Sequence, residues 1–173
     1  MSFDTIIAST RQAIADNPEK AHVVFTAQGT LVGVTEVDIS TGAHSFKADE
    51  PRSMGGAGAA ANPVQYALAS LGSCQAITYR FWAAQLGVTL DSITVRVEGD
   101  LDLRGLFGVD DGVRPGLSAV RVEVTMAGPE SERYAELATA VDEHCPVLDL
   151  FQNPVPVSRA LHLADPAGNP AGR

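Results

Sequence analysis

The stretch from Pro63 to Leu86 is apolar for most of its length and constrains the fold more than any other segment. Asn62, just before it, suits an N-cap. Pro63 suits the first helical position, where its missing N–H has no partner to lose, and Gly87 suits a left-handed stop. The spacing predicts one helix over 63–86, about 36 Å long at the usual rise. An apolar helix of that length either crosses a membrane or lies in a protein core. Gln65, Ser70, Ser73, Gln75, Thr78, Arg80 and Gln85 interrupt it, and the sequence around it alternates like a sheet protein. A long buried central helix, with no membrane involved, is the expectation.

The elements around this helix follow from period and turn residues. Phe3, Ile6, Ile7, Thr10, Ala13 and Ile14 share a helical side, and Asn17-Pro18 ends that helix. A strand is expected at Val23–Ala27, a turn at Gln28-Gly29, an alternating strand over 31–39, a turn at Ser40–Gly42 and a third strand at Ala43–Ala48. The glycines of 51–61 predict a loop. Beyond Gly87, 93–104 and 120–126 alternate apolar with polar residues, joined by a polar, glycine-rich loop at 105–116. Two long strands with one polar face each predict an antiparallel sheet wet on one side. Pro129 opens an amphipathic helix with Tyr134, Leu137, Ala138 and Val141 inward, ending at His144-Cys145-Pro146. A last strand is expected at Val155–Leu163, then a loose tail. The class is α+β, an antiparallel sheet with helices on one side. The expected organisation is an N-terminal helix in 1–20, one domain over 21–164 and a flexible tail over 165–173.

The chain has 173 residues, 45% of them hydrophobic and 19% charged, which is enough to build a core without disulfide staples. Its formal net charge of −9 and lack of Lys/Arg clusters argue against a nucleic-acid partner. The N-terminus carries an acid early and no basic start, so no secretory signal is expected and the cytoplasm is the expected compartment. There, thiols stay reduced unless redox chemistry uses them. The two cysteines and His22, His44, His144 and His162 have no metal-ligand spacing, and no metal is expected. Gly55, Gly56 and Gly58 follow no nucleotide-binding pattern, and no cofactor is expected.

Two cysteines in a chain that needs no staple require an account. Cys74 sits in the apolar helix, where a thiol commonly just fills space. Cys145 begins a helix-breaking Cys-Pro step, a place for a partly exposed thiol. Spacing alone gives no redox signature, since no Cys-x-x-Cys is present.

The wording around both cysteines resembles a family. Gly55-Gly56, then the run from Asn62-Pro63-Val64-Gln65 to Leu71-Gly72-Ser73-Cys74, is similar to the central helix of OsmC/Ohr proteins, which leads to their reactive cysteine. His144-Cys145-Pro146 resembles the family's second motif, which places the resolving cysteine. The order of elements agrees over roughly 23–163. The resemblance implies an OsmC-like fold: antiparallel sheets, a long buried central helix and an intertwined homodimer with its sites at the subunit interface. It also implies a thiol-dependent antioxidant peroxidase of the stress response, with Cys74 attacking an organic hydroperoxide and Cys145 resolving the sulfenic acid. An external dithiol, such as a lipoyl group on a carrier protein, then reduces the disulfide. Gln65, Leu71 and Ile77 would line the substrate pocket.

This sequence departs from the family at the thiolate's support, an arginine held by a glutamate. Val64 and Gln65 stand where the glutamate falls, and 23–39 holds no arginine. Arg52, with Glu50 to orient it, is the nearest candidate; a solvated loop is the plain alternative for this segment. Arg80 lies off the face of Cys74. The rival to catalysis is an OsmC-like protein that binds a small apolar ligand at the dimer interface, its cysteines only filling space.

Overall fold

The computed structural model describes residues 3–163. In chain order the elements are α1 (Phe3–Asp16), β1 (Gln28–Leu31), β2 (Val37–Thr41), β3 (His44–Ala48), α2 (Pro63–Leu86), β4 (Ser92–Asp100), α3 (Leu103–Leu106), β5 (Ala119–Ala127), α4 (Tyr134–His144) and α5 (Pro146–Gln152). The class is α+β as expected. A three-stranded antiparallel sheet, β1-β2-β3, precedes the central helix, and an antiparallel pair, β4-β5, follows it.

The central helix begins and ends where Asn62, Pro63 and Gly87 predict. Gln65 N–H donates to Asn62 Oδ1 at 2.8 Å, while Asn62 N–H donates to Gln65 Oε1 at 2.9 Å, a reciprocal cap that satisfies two otherwise orphan donors. Gly87 closes the helix in the left-handed region, with φ 63°. Leu71, Gln75, Thr78, Tyr79 and Ala83 are buried, whereas Ile77 and Arg80 face outward from the single chain.

β4 and β5 pair Ile93 with Met126, Val95 with Val124 and Val97 with Val122 on the inner face, and Arg96 with Glu123 and Glu98 with Arg121 on the outer one. Arg121 also bonds Asp100 at 2.5 and 2.9 Å. α2 lies on the inner face, and Gly72 lets it come close: a Cβ there would meet Val97 Cγ2 at 3.3 Å.

The core sits between the C-terminal half of α2 and α4, where Tyr79, Ala83, Val88, Tyr134, Leu137 and Val141 cluster, with Ile93, Val124 and Met126 packed against them. Leu137 is fully buried. Leu137→Ala is therefore expected to cost about 2–5 kcal/mol, a loss of transfer energy plus an unfilled cavity. Denaturant titration will read it as a lower midpoint at unchanged slope.

Several expectations about elements fail. Val23–Ala27 carries no strand; β1 starts at Gln28, so Gln28-Gly29 is strand rather than turn. The segment read as one strand over 31–39 is broken at 33–35, because the N–H groups of Val32 and Gly33 both turn back to the Glu36 carbonyl and close a hairpin. Alternation continues through that turn and hides it. β4 stops at Asp100 although the pattern runs to Arg104, because the Asp102 side chain accepts from the Arg104 N–H and caps α3. The final strand is absent: 154–163 makes no strand, and Val155, Val157, Leu161 and Leu163 are exposed. The helix after Pro129 also begins late, at Tyr134, behind a 3-10 turn at Ser131–Arg133. The tail expected after Asp165 lies outside the described residues.

Candidate active site

Cys74 comes from the middle of α2 and Cys145 from the joint between α4 and α5. The joint exists because Pro146 cannot continue α4 but fits the first position of a new helix. Cys145, at φ −81° and ψ 109°, is at once the C-cap of α4 and the N-cap of α5. α4 is held on α2 by the core cluster, and α5 also lies against α2. Cys145 is thereby carried to Cys74, and the two free thiols stand close enough for one to act on the ionisation of the other.

Two further donors reach Cys74. The Val147 N–H, in the first turn of α5, and the Thr78 hydroxyl both act on its sulfur. Thr78 Oγ1 also donates to the Cys74 carbonyl at 2.8 Å. Burial is the largest influence on the Cys74 thiol and pushes its pKa up from the ordinary value. The Val147 N–H opposes burial, Cys145 reinforces it, and Thr78 opposes it. Cys74 is half-buried and Cys145 is buried, so the more accessible sulfur is that of Cys74.

The other candidate residues lie elsewhere. Arg52 is exposed, opening a 3-10 turn at Arg52–Met54, and makes no ion pair among the described residues. Glu50 is half-buried, and its Oε2 accepts from Asn62 Nδ2 at 3.5 Å; Glu50 makes no ion pair with Arg52. Both stand near the Asn62 end of α2, about 18 Å from Cys74 along the helix axis. Gln65 is exposed, and its side chain is engaged in the helix cap. Leu71 is buried one turn before Cys74, and Ile77 is 56% exposed. Arg80 lies over the Phe3 ring at 5.5 Å, with Phe3 stacked on Phe81, so α1 covers the far end of α2.

Sequence reasoning missed Asp49. It is 2% exposed, its Oδ1 accepts from Thr35 Oγ1 at 2.6 Å, and its Oδ2 accepts from the N–H groups of Ala57 and Ala59, each at 3.0 Å. The Ala59 N–H, then the Thr35 hydroxyl, hold its carboxyl below the usual range. Asp49 thus ties the glycine-rich loop to the first hairpin; an Asp beside Glu, Pro and Arg reads as a solvated loop in sequence. Also missed were Thr78 and α5. A Pro immediately after a helix end was the available signal for α5.

A groove of about 460 Å³ opens between α2, β5 and α5. Leu71, Leu148, Val120, Val122 and Phe151 give it apolar walls, and Arg114 adds a cation. Leu71 and Leu148 each stand three residues from a cysteine, so the groove reaches the neighbourhood of the sulfurs. A larger groove, about 830 Å³, lies between α1 and Ala84-Gln85 of α2, away from both thiols. Among the described residues, no helix is long and apolar enough to cross a membrane.

Solved structures of the same fold include an organic hydroperoxide resistance protein OsmC from Legionella pneumophila, at 20% identity and TM-score 0.59, covering 75% of this chain and 90% of that one. An OsmC-like protein from Mycoplasma pneumoniae matches at 14% identity and TM-score 0.66, covering 76% and 89%. An organic hydroperoxide resistance protein from Elizabethkingia anophelis, with thiocyanate bound, matches at 18% identity and TM-score 0.61, covering 77% and 91%. Comparison with curated proteins gave no match. A family profile described as OsmC-like protein matches residues 55–159, which hold α2, both thiols and everything between them. The chain belongs to the OsmC-like protein family.

Proposed function

We propose that this protein is a thiol-dependent peroxidase that reduces organic hydroperoxides through Cys74 and Cys145. The observation that carries the reading is the meeting of the chain's only two cysteines, one from the middle of α2 and one from the joint between α4 and α5. The Cys74 thiolate attacks the outer oxygen of ROOH; an S–O bond forms, the O–O bond breaks, and RO⁻ takes a proton and leaves as the alcohol. Cys145 then attacks the sulfenic sulfur, forming the disulfide and releasing water. A small dithiol, of the lipoyl kind, restores both thiols by exchange and is itself oxidised to a cyclic disulfide. The reducing cytoplasm suits this cycle. The apolar groove at Leu71 and Leu148 favours organic hydroperoxides over hydrogen peroxide.

The working unit in this reading is an intertwined homodimer. Phe25, Val157, Leu161 and Leu163 are each at least 80% exposed, and Ile77 opens the outer face of α2. Surface of this kind calls for a partner chain. Because Arg52 and Glu50 stand a helix-half away from their own Cys74, any support they give a thiolate reaches Cys74 of the partner subunit. Sedimentation at low micromolar concentration is expected to give a stable dimer; a folded monomer would remove this arrangement.

The functional test is consumption of an organic hydroperoxide with a dithiol as reductant. Turnover with the dithiol, lost in Cys74→Ser, is expected. Burial of the thiols favours a second reading, a non-catalytic protein whose groove holds a small apolar ligand. That reading stands if neither cysteine reacts with excess hydroperoxide.

A further inference from the structure

Cys74 faces a difficulty that its own helix resolves. Burial disfavours its thiolate and, among the described residues, no arginine is one of the groups that act on it. Four residues on, one turn along the same face, is Thr78, which is 5% exposed. Its hydroxyl carries a single hydrogen, directed at the Cys74 carbonyl with Oγ1 2.8 Å away. That carbonyl lies inside α2, where the backbone N–H four residues on is its regular partner. It can therefore release the hydroxyl without being left unsatisfied. The sulfur is already within reach of Oγ1, so only the hydroxyl hydrogen need swing.

We propose that Thr78 is a catalytic residue: its hydroxyl turns from the Cys74 carbonyl to the Cys74 sulfur when the thiol loses its proton, holding the thiolate between Thr78 Oγ1 and the Val147 N–H. The inference rests on the thiol-peroxidase reading above. The thiol proton passes to water and the Thr78 hydrogen stays on its oxygen; only the direction of its hydrogen bond changes. A hydrogen bond to a charged sulfur is stronger than one to a second-choice carbonyl, so the swing favours ionisation. It fades once S–O bond formation removes the charge, leaving the hydroxyl free to return.

The test follows one thiol. Cys145 is the titratable neighbour acting on Cys74, so Cys145→Ala serves as the parent. In it, the ultraviolet absorbance of the thiolate and the rate of alkylation by iodoacetamide are followed against pH. Adding Thr78→Val is expected to raise the Cys74 midpoint by about one unit, slowing alkylation at neutral pH about tenfold. Adding Thr78→Ser keeps the hydroxyl and is expected to restore the parent profile. The single-turnover reaction with cumene hydroperoxide is expected to slow by the same factor in the valine variant alone. A Thr78→Val midpoint equal to the parent's overturns the proposal, as does a Thr78→Ser shift as large as valine's, which would mark a packing effect. Should the valine variant fail to fold, Thr78→Ala set against Thr78→Ser gives the same contrast. If the midpoints shift but the wild type reduces no hydroperoxide, the peroxidase reading fails and the Thr78 contact survives; turnover without a shift is the reverse.

Discussion

One equivalent of an organic hydroperoxide is expected to remove two hydrogen atoms from each chain, seen as a mass loss under denaturing conditions, and to leave neither cysteine open to a thiol reagent. The expectation rests on Cys74 and Cys145 already being neighbours before any oxidation, close enough for one thiol to act on the other. The roles follow from access: Cys74 is half-buried and Cys145 almost wholly buried, so peroxide meets Cys74 first. Cys145→Ser is expected to stop the reaction at a sulfenic acid on Cys74 that can be trapped. Cys74→Ser is expected to abolish it. Oxidation of Cys145 with Cys74 left reduced would reverse the assignment. Because burial raises the Cys74 pKa, the thiolate fraction, and with it the rate of the first step, is expected to climb through neutral pH and beyond. A rate flat from mildly acid to alkaline pH would mean a thiolate far better supported than this chain alone provides.

Gly56→Ala is expected to unseat the loop before the central helix. A Cβ at Gly56 would lie 1.8 Å from the Glu50 carbonyl oxygen and 2.7 Å from Thr35 Oγ1, and the nearer obstacle is backbone, which cannot step aside. Forcing an atom into such a space costs about 1–3 kcal/mol or more. For a chain of this size that is a fall in melting temperature of roughly 2–12 °C. The same packing places the Ala57 and Ala59 N–H groups on Asp49, so the variant is also expected to expose the peptide bond after Arg52 to trypsin. Asp49→Asn approaches the knot from its other side. The Asp49 carboxyl is held below its ordinary pKa of 3.8, so its contribution to stability is complete above that value and is lost as pH falls through the lower, folded-state pKa. The asparagine variant is expected to be less stable at neutral pH and to lose this part of the acid dependence. A wild-type melting curve from Gly56→Ala would show that the loop has another conformation open to it.

Local chemistry made some of the molecule legible without coordinates. Asn62, Pro63 and Gly87 bounded the central helix because cap and stop signals act within a turn of the residues that carry them. Strict alternation over 93–100 and 120–126 gave β4 and β5, because a strand that is half-wet must alternate. Alternation failed where a turn or a cap interrupted it without changing its rhythm, as at 33–35 and 101–104. It also failed over 155–163, where the strand-like pattern finds no pairing edge within the single chain. The cysteines were visible as residues and their meeting was not. It depends on α4 packing against α2 and on Pro146 breaking the chain beside Cys145, contacts between elements far apart in sequence. Asp49 and Thr78 belong to the same class. A carboxylate among polar neighbours and a threonine in an apolar helix are ordinary in sequence; only the folded chain buries the first under the N–H groups of Ala57 and Ala59 and sets the second beside a sulfur that the turn of α5 has enclosed.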